Sequence, residues 1–176
     1  MELEDNDLSM LSSVMRQAEA APAVRPVGTA PETLAWYKPG FGPKCRVMTS
    51  FGALPIEALR RRDPVKTSSG RFVEVQWVDQ IRLDARFLSL HPKANPVAIP
   101  KGALNGMTPE TDIMISPGQA LRMPGRTGSD AVSKAGGLIG RNGIAAKPQS
   151  GFTYYLFHCG EPVMVSIDGL WWEVSP

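Results

Sequence analysis

The hydrophobic positions from residue 45 onward follow the period of short β-strands. Val73, Val75 and Trp77 occupy every second position of one segment and are separated by polar residues, which predicts a strand with Trp77 facing inward. Prolines recur between residues 92 and 148 and leave no room for a long helix. The chain is therefore predicted to be mostly β. The expected strands are Arg46–Thr49, Phe72–Val78, Ile81–Leu90, Ile113–Ile115, Tyr154–His158, Val163–Val165 and Leu170–Val174.

Residues 1–39 have a different pattern. Leu8, Leu11 and Met15 are spaced by three and four positions, which predicts one apolar face of a short helix. A Pro- and Ala-rich stretch follows and has the composition of a linker. A lone helix of about 12 residues is marginal in water, so its apolar face needs a cover. The organisation predicted is an N-terminal arm, 1–39, before a β domain, 40–176.

Composition excludes several classes of protein. The chain has 176 residues, of which 43% are hydrophobic and 20% charged, as in an ordinary globular domain. It lacks an apolar run of about 18 residues, and its acidic start does not resemble a secretory signal. Two cysteines cannot form a disulfide framework. We therefore expect a cytoplasmic protein, which can still lie peripherally on a membrane complex.

Charge is unevenly distributed along the chain. Residues 1–19 carry a net charge of −4, whereas the remainder carries +6. An acidic arm before a basic body suits contacts with a protein partner. The basic body also leaves open nucleic-acid binding, which would depend steeply on salt. The glycine-rich segment 124–151 is predicted to be a long surface loop.

Three ordered blocks of residues resemble the Hint domain, the fold shared by hedgehog autoprocessing domains and inteins, and most closely its bacterial subgroup. The second block runs from His91-Pro92 to Ala120-Leu121, and the third from Thr153 to Glu173. The resemblance implies an all-β Hint-like fold. The first block places in register Val47, Thr49, Gly52, Pro55, Ile56, Glu57, Leu59, Asp63, Val65, Thr67, Gly70, Val75 and Trp77.

The resemblance also implies a self-processing reaction whose residues are replaced here. In the family, a first-position Cys or Ser attacks the preceding carbonyl, and a histidine activates that peptide bond. The nucleophile position falls near Gly40, and the histidine position falls on Gln119. Two further histidine positions fall on Leu156 and about Pro162. Glycine has no attacking group and glutamine does not shuttle protons, so we expect a fold without its reaction and no enzyme.

Cys45 keeps an alternative open. It lies about five residues after the expected nucleophile, and a shifted register would allow cleavage between Lys44 and Cys45. Otherwise Cys45 is a buried strand thiol. His91, His158 and Cys159 are interpreted as structural, and because no Cys-x-x-Cys spacing is present we predict no metal site and no cofactor.

The leading functional prediction is a catalytically inactive Hint-like domain. It would act as a protein-binding module or accessory subunit of a larger assembly, including one attached to a membrane. The arm would supply extended contacts, and an exposed aromatic pair and an arginine run would add others. The predicted partner-binding residues are Leu8, Leu11, Met15, Trp36, Tyr37, Arg60, Arg61, Arg62 and Trp172.

Overall fold

A computed structural model of the chain describes Trp36 and residues 38–123 and 131–176. The predicted helix around Leu8, Leu11 and Met15 lies outside these residues, as does Tyr37. None of the helices in the described ranges has the length and apolar character needed to cross a membrane.

The described residues form thirteen short β-strands, one α-helix and three 3-10 turns. The single α-helix, α1, is Ala85–Leu90, and the 3-10 turns are Ile56–Ala58, Pro92–Ala94 and Ala135–Leu138. The strands are β1 (Arg46–Thr49), β2 (Gly52–Pro55), β3 (Pro64–Lys66), β4 (Phe72–Glu74), β5 (Trp77–Asp84), β6 (Val97–Ile99), β7 (Ile113–Ile115), β8 (Ala120–Met123), β9 (Ala131–Lys134), β10 (Ala145–Ala146), β11 (Gly151–His158), β12 (Val163–Ile167) and β13 (Leu170–Val174).

The strands pair antiparallel. The largest sheet has the order β4-β3-β1-β12-β13-β8-β9, and β2 pairs with β1 outside this path. A second group has the order β10-β6-β7, and β5 pairs with β11 as a long ribbon. Phe41 joins the last two groups because it bridges both Ile115 of β7 and Tyr155 of β11. The segment around Phe41 is thus built into the sheet framework, and the prediction of a mostly β fold is confirmed.

Two apolar clusters lie against these sheets. The larger one fills the space beside the main sheet and includes Val47, Ile167 and Trp172, each fully buried. The smaller one lies at the α1 end of the β5–β11 ribbon and includes Leu88 and Tyr154. In β13, for example, Leu170, Trp172 and Val174 alternate with less buried residues and enter the larger cluster, as period-two burial requires.

The hairpin between β12 and β13 shows how local sequence sets the register. Ile167 pairs with Leu170 across a two-residue connection. Asp168 and Gly169 form that connection with φ of 50° and 79°. Positive φ at both positions is the type I′ geometry that Asp-Gly favours, and its twist matches paired strands.

One predicted strand, Phe72–Val78, is two strands in the structure. β4 ends at Glu74, and Val75 and Gln76 pass between partners before β5 begins. The Val75 N–H donates to the Asp63 carbonyl (3.0 Å), whereas the Gln76 N–H donates to the His158 carbonyl (2.9 Å). This change of partner breaks the alternation, so the prediction of an inward Trp77 is wrong. Its side chain is 41% exposed.

Two further predictions are corrected. The strand proposed over residues 81–90 ends at Asp84, whose carboxylate accepts a hydrogen bond from the Phe87 N–H (2.7 Å) and starts α1. Asp is a favoured N-cap residue, and this cap outweighs the β-like pattern that follows. The predicted loop 124–151 contains β9, a 3-10 turn and β10, and its Leu138 and Ile144 are buried in the larger cluster.

Candidate functional site

Gly40, where the resemblance places the nucleophile, is buried. Both its N–H and its carbonyl are hydrogen-bonded. Its N–H donates to Gln119 Oε1 (3.1 Å), and its carbonyl accepts from the Ser116 N–H (3.0 Å). A Cβ atom added to Gly40 would lie 2.9 Å from the Cβ of Tyr154, at a φ of 152°. Non-bonded carbons do not approach that closely, so the site has no room for a side chain at residue 40 unless Tyr154 shifts.

Gln119, where the family places its histidine, is 1% exposed. Besides accepting from Gly40, it donates from Nε2 to the carbonyls of Glu173 (2.6 Å) and Ala120 (3.2 Å). Both ends of the amide are therefore satisfied. Gln119 joins the start of the domain to its last strand and holds these polar groups in place.

Ser116 fastens the chain upstream of Gly40. Its hydroxyl donates to the Lys38 carbonyl (2.6 Å), and its oxygen accepts from the Trp36 indole N–H (2.9 Å). The Trp36 ring stacks on Tyr154 at 5.9 Å and meets Phe87 edge-on at 6.1 Å. Trp36 is consequently packed on the smaller apolar cluster.

A cavity of about 190 Å³ opens beside Gly40. Gln119, Leu156, Trp77 and Glu173 contribute to its wall. The structure thus brings together three of the four positions where the resemblance expects reactive groups. The fourth, Pro162, is exposed and does not line the cavity. At the expected reactive positions the cavity therefore presents the Gln119 amide and the Leu156 side chain, and Glu173 and Ser175 also contribute to its wall.

Cys45 lies outside this cavity lining. It is fully buried just before β1, with Sγ 3.9 Å from the Met114 carbonyl. Burial raises the pKa of the Cys45 thiol well above its usual range, and the carboxylates of Asp168 and Glu57 add to that shift. The reactive form of cysteine is the thiolate, and this environment disfavours it.

The other histidines and the second cysteine occupy packed positions. The His158 ring stacks on Trp77 at 5.3 Å, and its Nδ1 accepts from the Gly160 N–H (3.1 Å). His91 ends α1 with its ring 4.6 Å from that of Phe87. Burial raises the pKa of Cys159 to about 11. Across the described ranges, no three His, Cys, Asp or Glu side chains are grouped to hold a metal ion.

The predicted partner-binding residues are placed very differently from one another. Arg60, Arg61 and Arg62 are exposed in a turn, and Arg62 adopts a left-handed φ of 74°, a conformation that glycine adopts most readily. Trp36 contacts its own domain, as described above. The placement of Trp172 on the surface is wrong. Residues 170, 172 and 174 face inward along β13, and the Trp172 ring is fully buried.

Sequence reasoning identified Gly40 and Gln119 but missed the residues that hold them. The Ser116 contacts depend on a turn that brings residue 116 beside residues 36–40, which is set by the fold. A local signal existed in Ser116-Pro117-Gly118, since these are turn-forming residues. No local pattern indicates that the Glu173 carbonyl accepts from Gln119.

Comparisons with solved structures agree with the fold. The chain is similar in structure to the gp41-1 intein, with a TM-score of 0.50 and 13% identity, over 77% of this chain and 98% of the intein. A variant of the same intein gives a TM-score of 0.51 and 14% identity over the same shares. At these identities the likeness concerns the fold alone. No curated protein matches the chain.

The family assignment rests on the sequence match. The family described as Hint domain matches residues 39–175. This range holds both the main sheet and the Gly40 cavity. The chain therefore belongs to the Hint domain family.

Proposed function

We propose that this chain is a Hint domain that does not process itself and serves as a protein-binding module, an accessory subunit of a larger assembly. One observation carries the proposal: the chain on both sides of Gly40 is a structural part of the domain. Four hydrogen bonds and the Trp36 stack hold Trp36, Lys38 and Gly40 against the rest of the fold.

The position of Trp36 argues against release of the upstream segment. By family resemblance, processing would divide the chain at the Pro39–Gly40 bond. Trp36 lies upstream of that bond and covers Tyr154 and Phe87. Its departure would expose aromatic surface and remove two of the three hydrogen bonds of the buried Ser116 hydroxyl. Both losses cost free energy. A cleaved product would therefore be less stable than the intact chain.

The chemistry of the cavity supports the same proposal. Residue 40 has no side chain, and Tyr154 occupies the space that one would need. Gln119 uses its amide to hold Gly40 and Glu173. The alternative nucleophile, Cys45, is buried as a thiol. None of these groups supplies the nucleophile and proton carrier that acyl transfer requires.

The binding role follows from a fold kept without its reaction. The exposed turn Arg60, Arg61 and Arg62 carries three positive charges, and charged turns of this kind guide association with an oppositely charged protein. The acidic arm, with Leu8, Leu11 and Met15, would add further contacts. We propose a cytoplasmic assembly as the setting.

Intact-mass analysis tests the absence of processing. Purified full-length chain and a Cys45→Ala variant would each be incubated for about a day with dithiothreitol or hydroxylamine, which cleave thioester and ester intermediates. We expect one full-length mass for both proteins under every condition. Two fragments whose masses sum to the whole, divided before residue 40 or residue 45, would show a working autoprocessor. Cys159→Ala is the matched control, since its thiol is also buried.

A further inference from the structure

The terminal strand of the largest sheet, β4, pairs with β3 on one side. In an antiparallel pair, only every second residue directs its N–H and C=O toward the partner strand. The Thr67 N–H donates to the Arg71 carbonyl (2.9 Å), and the Val75 N–H donates to the Asp63 carbonyl (3.0 Å). The odd-numbered residues of the β4 segment are therefore the ones that bond to β3.

The even-numbered residues, Phe72 and Glu74, direct their N–H and C=O groups to the other side of β4. Pro64, which pairs with Glu74, supports this alternation, because its carbonyl faces β1 and accepts from the Ser50 N–H (3.0 Å). Within the part of the chain that the structure describes, the backbone groups of Phe72 and Glu74 have no partner. An open edge of this kind is a template for an added strand.

The chain itself pairs this side of the segment one step further on. The next even-numbered residue, Gln76, donates its N–H to the His158 carbonyl at the end of β11 (2.9 Å). Pairing on this side ends there, and both Phe72 and Glu74 are exposed. The open part of the edge therefore comprises the two donors and two acceptors of these residues.

The surroundings of the open edge are basic. Residues 60–75 include five basic and two acidic residues. The arginine turn lies at one end of β4, because the Arg62 N–H donates to the Val75 carbonyl (2.7 Å), and the exposed Arg71 precedes the other end. Between them, the Phe72 side chain is 48% exposed. This arrangement favours an acidic segment with an apolar centre.

We propose that an acidic, extended segment of a partner protein adds to the open edge of β4 as an antiparallel strand. It would exchange backbone hydrogen bonds with Phe72 and Glu74 and direct carboxylates toward Arg62 and Arg71. An apolar residue would lie against the Phe72 ring, and a neutral one opposite Glu74, because like charges directly opposite each other destabilise a sheet. This inference rests on the proposed function and assigns the chemistry of the partner.

Synthetic peptides test the charge and the backbone pairing separately. Acetyl-Glu-Asp-Thr-Val-Val-Asp-Glu-amide has the proposed pattern, with its threonine opposite Glu74 and its second valine opposite Phe72. The charge control has lysine at all four acidic positions. Two further acidic peptides carry backbone N-methyl groups, one on the threonine and the second valine, the other on the first valine alone. Each would be titrated into the full-length chain and followed by amide chemical shifts and by calorimetry.

We expect the acidic peptide to bind and the lysine peptide to bind at least about tenfold more weakly. Methyl groups on the threonine and the second valine should abolish binding, because these N–H groups face β4. A methyl group on the first valine faces away from β4 and should leave the affinity within about threefold of the parent peptide.

Glu74→Pro closes the edge in the protein itself. Proline at this position removes an N–H that faces away from β3, which edge strands tolerate, so unchanged amide shifts in β1 and β12 should show a folded variant. Glu74→Thr is the matched control, since it removes the same charge and keeps the N–H. We expect Glu74→Pro to lose the peptide and Glu74→Thr to bind it at least as tightly as the native chain. The methylated peptides test the same edge without altering the protein.

Several outcomes would overturn this inference. For the peptides, they are equal binding of the acidic and lysine peptides, equal binding of the two methylated peptides, or no binding at millimolar concentration. For the protein, they are full affinity in a folded Glu74→Pro variant, or a chain that sediments as a dimer and becomes a monomer in that variant, which would make a second copy the occupant. Tighter binding of a single-stranded oligonucleotide than of the acidic peptide would also overturn it.

All these outcomes would leave the proposed absence of processing intact, because intact mass tests that separately. Conversely, fragments in the mass experiment would overturn the proposed function without changing the result of the titration.

Discussion

The cavity beside Gly40 and a second cavity of about 320 Å³, which lies beside β5, differ in how their polar groups are used. Around Gly40, the Gln119 amide and the Ser116 hydroxyl bond to the chain itself. Beside β5, Glu57 and Asp79 present charges that no described cation neutralises. Polar groups that are all engaged internally stabilise a fold, whereas free charges near apolar surface suit recognition. The groups around Gly40 thus stabilise the fold, whereas the carboxylates beside β5 lie exposed at the surface.

The largest expected effect comes from Trp36→Ala. Loss of the contacts with Tyr154 and Phe87 and of the hydrogen bond to Ser116 should lower the free energy of unfolding by about 3 kcal/mol. Trp77→Ala, in an exposed ring, is the control and should cost about 1 kcal/mol or less. Urea unfolding of both variants measures the difference. Equal losses would contradict a structural role for the segment before Gly40.

Gln119→Leu has the next largest expected effect. The variant keeps the volume of the side chain but leaves the Gly40 N–H without a partner and removes one donor from the Glu173 carbonyl. Such unsatisfied buried groups cost about 1–3 kcal/mol each, and we expect a total near 2 kcal/mol in urea unfolding. Gln119→His, which retains one hydrogen-bond acceptor, should lose less stability. A neutral Gln119→Leu variant would show that the amide is not a structural link.

Asp168 provides a smaller, pH-dependent test, because its carboxylate is buried whereas those of Glu57 and Asp79 are exposed. Its oxygens accept from the Arg46 N–H (2.9 Å) and the Thr111 hydroxyl (3.2 Å). Burial raises its pKa above the ordinary 3.8 in spite of these bonds. The folded state therefore binds the proton more tightly than the unfolded state. Stability falls as pH rises from the pKa of Asp168 in the unfolded chain to its pKa in the folded chain.

Asp168→Asn should remove this loss of stability at higher pH. Asparagine fits the left-handed turn position, and it can accept from Arg46 while donating to Thr111. We expect the variant to be more stable than the native chain at pH 8, on the order of 1 kcal/mol, with the difference shrinking toward pH 4. Thermal unfolding over this range provides the check. If the stability difference instead grew toward low pH, folding would lower the pKa of Asp168 rather than raise it.

The smallest expected effect belongs to the charges beside β5. Glu57→Gln with Asp79→Asn should change the free energy of unfolding by less than about 0.5 kcal/mol, because both groups are exposed and keep their hydrogen bonds. A loss comparable to that of Gln119→Leu would mean that these carboxylates stabilise the fold in spite of their exposure.

Local pattern and family resemblance predicted the fold class and the positions of Gly40 and Gln119. Strands such as Ile113–Ile115 and Leu170–Val174 appear as expected, because their alternation is not interrupted. Trp77 was misplaced because the chain changes partner strand at Val75 and Gln76, which depends on pairing with distant residues. Trp172 was misplaced because two adjacent tryptophans do not reveal which one faces inward.

The candidate sites were less predictable than the fold. The contacts of Trp36 and Ser116 join residues 80 positions apart, and no local spacing encodes them. The cavity beside β5 likewise combines a 3-10 turn with two strands from different parts of the sequence. Sequence reasoning identified residue types that a reaction would need, but only the fold shows which groups are engaged and which remain free.

Hydrogen exchange at the Gly40 amide tests most directly the claim that the chain across this position is a permanent part of the domain. If Gln119 holds the Gly40 N–H as described, this amide should exchange as slowly as that of Tyr155, which donates to the Phe41 carbonyl in the adjoining sheet. Exchange of the Gly40 amide at the rate of an unstructured glycine, with Tyr155 still protected, would contradict the account.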